Sequence, residues 1–153
     1  MCYMLYLGAE AALPSIAVDW KSIDFHAADW PARAPRLAIS PLTERDEAVR
    51  SNFAESFVFK AGSYEGCSCG FNYLPDTLPY TSNIEDIATS AAVARESRTA
   101  LAKFAVANRV KTLYGCWDGD QALPINTEIT ITSEQLHDPS FLLPERIRMP
   151  FRS

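Results

Sequence analysis

The sequence predicts an α+β fold, a mostly antiparallel sheet packed against one long helix and one or two short helices. Three observations carry this. Residues 84–108 contain neither Gly nor Pro and place apolar side chains at helical spacing. Short apolar or alternating runs lie on both sides of that stretch, as strands do. Helices and strands do not alternate regularly, so repeated βαβ units and a parallel sheet are disfavoured. The chain's 153 residues match one domain, spanning 1–153. With 48% hydrophobic and 22% charged residues, the chain has enough apolar surface for a core, which excludes general disorder.

Residues 2–7, Cys-Tyr-Met-Leu-Tyr-Leu, are apolar at both parities and predict a central strand covered on both faces. Pro14, Pro31 and Pro35, among Trp20, Phe25 and Trp30, predict an extended connection with a short strand near Asp24–His26. Leu37 to Ser40 reads as a strand closed by Pro41. Thr43 then caps a helix with Glu44, Asp46 and Glu47 in its first turn. Phe57 to Lys60 is the next strand. Gly62, Gly66 and Gly70 punctuate the segment after it, and Pro75 and Pro79 prolong the irregular stretch.

Ser82 and Glu85 form a capping box for the long helix. Its apolar stripe is Ile84, Ile87, Ala91, Ala94, Leu101 and Ala105. Arg98 interrupts the stripe, which predicts a break or an outward-turned side chain there. Val110 to Trp117 and Asn126 to Thr132 read as strands, the second half-exposed and antiparallel. Ser133 caps a short helix to His137, stopped by Pro139. At the end, Ile147, Met149 and Phe151 alternate with Arg148 and Arg152, with Arg146 before them, which predicts an edge strand guarded by arginines.

A net charge of -5 offers no excess of cations for phosphates, so nucleic acid is not an expected partner. Arg95, Arg98, Lys103, Arg109 and Lys111 precede a wholly acidic run from Asp118 to Asp138, which reads as two solvated faces. The first basic residue is Lys21, and Pro14 and Asp19 interrupt the apolar opening. Neither a signal peptide nor a membrane span is expected, and a cytoplasmic location is.

The sharpest local feature is Gly66-Cys67-Ser68-Cys69-Gly70. Two cysteines one residue apart point the same way on an extended backbone, and flanking glycines let the loop bend around an ion. Structural zinc sites usually space their cysteines by two to four residues, and no second pair is present. Cys116, at the end of a strand, is the third candidate for a metal or reactive-thiol site. Cys2 and His26 rank behind it, and zinc is the cofactor considered. All four cysteines also suit the role of small core residues. Glycine-rich amides would favour a thiolate here. Asp118-Gly119-Asp120 offers oxygen donors for a hard cation but reads better as a turn. His26, between Asp24 and Asp29, has the neighbours of an oriented base.

Three stretches of the chain carry resemblances to known families. The opening Met-Cys-Tyr-Met-Leu-Tyr-Leu-Gly resembles the start of class II glutamine amidotransferases, which implies a nucleophilic role for Cys2 with its own amine as base. The same opening, with Glu-Gly-Cys-Ser-Cys-Gly-Phe at 65–71 and Leu-Tyr-Gly-Cys-Trp-Asp-Gly-Asp at 113–120, resembles a family of small uncharacterised bacterial proteins. That likeness implies a bacterial source and no activity. The functional expectation is a metal-binding or redox-active thiol site at Cys67 and Cys69. A non-enzymatic binding or assembly module, with self-association through exposed strands, is the alternative, and a Cys2 amidohydrolase the third reading. The sequence leaves any small-molecule ligand open.

Overall fold

The computed structural model describes residues 2–30, 32–72 and 84–153, and the side chains among them except at 84–87. The elements are mixed, as the sequence predicts. In chain order they are β1 (Tyr3–Ala9), β2 (Ala38–Pro41), β3 (Phe57–Gly62), α1 (Ile84–Ala107), β4 (Thr112–Trp117), β5 (Thr127–Glu128), β6 (Ile131–Thr132), α2 (Ser133–His137) and β7 (Ile147–Arg152). Three 3₁₀ segments join them, at Trp20–Ser22, Glu44–Asn52 and Cys69–Phe71. Among the described residues the strands form one sheet ordered β2-β3-β1-β4-β7-β5, with β6 also beside β7.

β1 lies at the heart of this sheet, antiparallel to β3 on one side (Leu5 opposite Ala61) and to β4 on the other (Tyr6 opposite Tyr114). All seven of its residues are buried, because its two faces serve two apolar clusters. Tyr3, Leu5, Leu7 and Ala9 pack with Leu101, Ala102 and Ala105 of α1. Met4 and Tyr6 pack on the other face with Val49, Val58, Tyr114 and Cys116. The small residues of α1 let it lie close to the strands. Its Ala94, Leu101 and Ala105 are fully buried, in accord with the apolar stripe. The proposed capping partner Ser82, the side chains of Ile84, Glu85 and Ile87, and the stretch holding Pro75 and Pro79 lie outside the described residues.

Several local expectations are corrected. No strand forms at Asp24–His26. The Asp24 carboxylate accepts the His26 N–H (2.9 Å), and such a local bond favours a turn. The connection instead touches the sheet through a bridge from Ile16 to Ile39. The helix after Thr43 forms as expected, with Thr43 at its cap, and is of the 3₁₀ kind; Asp46 accepts both the Thr43 N–H (3.3 Å) and its hydroxyl (2.6 Å). Asn126–Thr132 splits into β5 and β6, which run parallel to β7, not antiparallel. Between them Ile129 is exposed while Ile131 is fully buried. Consequently β7 is no edge strand: β4 lines one side of it and β5 and β6 the other. The cap of α2 is Thr132, whose hydroxyl accepts the Gln135 N–H, one residue before the expected Ser133.

No helix among the described residues is long and apolar enough to cross a membrane.

Candidate functional site

The Gly-Cys-Ser-Cys-Gly segment leaves the end of β3 and folds back over the start of β1. A turn begins it: Gly66 N–H donates to Ser63 O (3.1 Å), and Ser63 N–H to Cys67 O (2.9 Å). The Ser63 hydroxyl donates to the same Cys67 carbonyl (2.7 Å). Gly66 has φ +81, a conformation that side chains resist, and a Cβ there would press on the Trp20 ring at 3.2 Å. A Cβ on Gly70 would come within 2.6 Å of the Tyr64 ring. The glycine flanks therefore answer two different needs, a left-handed turn and a close approach.

Ser68, between the cysteines, is fully buried. Its hydroxyl accepts the Leu5 N–H (2.8 Å) and donates to the Ala61 carbonyl (2.6 Å). Leu5 and Ala61 are paired residues of β1 and β3, so the hydroxyl ties the loop to both strands at that pair. Past that point Ser68 N–H donates to Tyr3 O (3.2 Å), and the loop takes over from β3 as the neighbour of β1.

Two more contacts hold the far end of the loop. Asn72 brackets Leu143, accepting its N–H (2.9 Å) and donating to its carbonyl (3.0 Å). Arg98 reaches in from α1 and donates to Phe71 O (2.7 Å). Arg98 is 1% exposed, which corrects the expectation of a helix break or an outward side chain. Its cation is used to tie the helix to the cysteine loop.

This scaffold brings three sulfurs together. The donor atoms of Cys2, Cys67 and Cys69 all lie within 4.8 Å of one another, and no other group of three potential ligands does so among the described residues. Cys2 is exposed and the other two half-buried. Tyr3 N–H donates directly to Cys69 Sγ (3.1 Å). The four cysteines are all free thiols.

The surroundings treat the sulfurs unequally. The Cys67 thiol, then the Tyr3 N–H and the Cys2 thiol, hydrogen-bond to Cys69 and hold it down to about 6, against the opposing effect of burial. Cys67 is pushed the other way, first because its hydrogen bond to Cys69 needs the proton, then by burial. The surroundings thus favour the thiolate form of Cys69 and the protonated form of Cys67.

Cys116 lies elsewhere. It is opposite Met4 on β4, fully buried in the second cluster, on the face of the sheet away from α1. Burial, then the charges of Asp120, Asp118 and Asp46, push its thiol up to about 12. Cys2, the residue before β1, takes the third place; its carbonyl accepts the Asp118 N–H (2.8 Å). His26 is exposed on its turn and is not among the grouped ligands. Asp118 accepts from Arg45 (2.7 Å) and Gln121 (3.2 Å), and Gly119 has φ +104, so Asp-Gly-Asp is turn chemistry.

Sequence reasoning missed Ser63, Ser68, Asn72 and Arg98, the residues that place the loop. For Arg98 a signal existed, a cation on an apolar stripe. The serines and Asn72 resemble any loop residues. No family model, no curated protein and no solved structure matches the chain.

Proposed function

We propose that the protein binds a soft metal ion of the zinc class through Cys2, Cys67 and Cys69. The observation that carries this is the convergence of three sulfurs within 4.8 Å from two distant parts of the chain. Metal–sulfur bonds of about 2.3 Å put tetrahedral sulfurs about 3.8 Å apart, so small side-chain rotations complete the set. Thiolate is the donor that soft and borderline ions prefer. Three protein ligands leave a fourth position for water or an external ligand. Binding would displace the protons that the thiols carry. A cytoplasmic setting fits this reading, since neighbouring free thiols persist where the medium is reducing.

Cobalt(II) titration of the reduced protein tests it, because thiolate ligation gives an intense charge-transfer band. The expected result is one ion per chain. Cys2→Ser, Cys67→Ser and Cys69→Ser should each weaken binding by about tenfold or more, and Cys116→Ser should leave it unchanged. No uptake, or uptake indifferent to Cys67 and Cys69, would remove the reading.

A further inference from the structure

Thiols gathered this closely can also react with one another. We propose that Cys69 and Cys2 form a peroxide-oxidisable pair, in which Cys69 attacks a hydroperoxide and Cys2 resolves the product as a disulfide. This activity goes beyond metal binding and does not require it.

Geometry assigns the roles. Cys69 Sγ accepts the Tyr3 N–H at 3.1 Å and lies within 4.8 Å of the sulfurs of both Cys2 and Cys67. An amide donor aimed at a sulfur favours its nucleophilic form. Cys67 stands one residue from Cys69, and so small a ring strains the disulfide torsion. Cys2 comes from the residue just before β1, carries no such constraint, and is exposed where it can swing toward Cys69. Cys116 is walled off on the opposite face.

The chemistry balances in two steps. The Cys69 thiolate attacks one peroxide oxygen; an S–O bond forms, the O–O bond breaks, and the departing alkoxide takes a proton from solvent. The Cys2 sulfur then attacks the Cys69 sulfur; an S–S bond forms, the S–O bond breaks, and hydroxide leaves with the Cys2 proton as water. In sum, two thiols lose two electrons and one hydroperoxide becomes an alcohol and water. In metal-loaded protein the same disulfide removes two of the three ligands, so oxidation would expel the ion.

The test uses reduced, metal-free, full-length protein with one equivalent of hydrogen peroxide. Digestion without reductant is followed by fragmentation mass spectrometry. The expected product is a Cys2–Cys69 link. Cys2→Ser should leave Cys69 as a sulfenic acid captured by dimedone, and Cys69→Ser should slow thiol loss about tenfold or more. A Cys67–Cys69 link, a sulfenic acid on Cys2, or thiol loss unchanged by Cys69→Ser would overturn the proposal. The wild-type peptide map decides the outcome even where a variant fails to fold. Cobalt(II) titration of the same sample separates the two readings. Uptake without the link keeps the metal site and removes the peroxide chemistry; the link without uptake does the reverse.

Discussion

Ser68 shows how much of this site depends on one hydroxyl. It makes two bonds at one pair of β1 and β3, accepting the Leu5 N–H and donating to Ala61 O. Ser68→Ala removes both of these buried bonds. Two buried hydrogen bonds are worth about 1–3 kcal/mol together. Urea unfolding should show that loss, and cobalt(II) affinity should fall with it because the cysteines ride on the same residue. Nothing in the sequence marks this serine, since its two partners are backbone atoms from remote segments. The glycines on either side were legible as bends. That Gly66 answers to Trp20 and Gly70 to Tyr64 depends on packing that no local pattern encodes.

Among the elements, α1 does more than cover the sheet. Through Arg98 it grips Phe71 O at the end of the cysteine-bearing 3₁₀ segment. Arg98→Ala should destabilise the fold by about 3 kcal/mol, through the lost charged hydrogen bond and the emptied core volume, as read by chemical denaturation. Arg98→Lys should recover part of this, since a cation remains but not the guanidinium's reach and fixed plane. The helix itself was legible from its spacing, because the period of apolar residues is a property of the element alone. The strands at the other end were legible as strands but not as neighbours. Alternation in Ile147–Arg152 tells which side chains share a face. It says nothing of what lies beside the strand, so the burial of β7 between β4 and β5 was hidden.

At the scale of the molecule, the sheet separates two polar centres. The sulfurs gather where the loop meets β1. On the other face buried Asp46 accepts from the Tyr6 hydroxyl (2.8 Å) and from Thr43, with Lys60 at 3.6 Å. Burial alone would raise the Asp46 carboxyl, but the Thr43 and Tyr6 hydrogen bonds and the Lys60 charge outweigh it and hold it below 3.8. A carboxyl lowered by folding stabilises the native state above its unfolded value. That contribution is lost as pH falls through the lowered value. Asp46→Asn should therefore cost about 1–2 kcal/mol at pH 7, and the gap from wild type should narrow only below about pH 4. Unfolding curves at pH 7, 5 and 3 measure this. Cobalt(II) uptake should be untouched by the variant, because the sheet stands between the two centres. The α+β class was legible because it needs only the kinds of element present. The meeting of Cys2 with Cys67 and Cys69 was not, because it joins parts of the chain more than sixty residues apart.

The amide of Tyr3 gives its proton to a sulfur instead of a carbonyl. The innermost strand is thus wired to the chemical state of Cys69. Any event that drains electron density from that atom, be it ligation, alkylation or oxidation, weakens an anchor of the backbone at the point where the central strand starts. The protein's scaffold cannot remain indifferent to what its thiols have met.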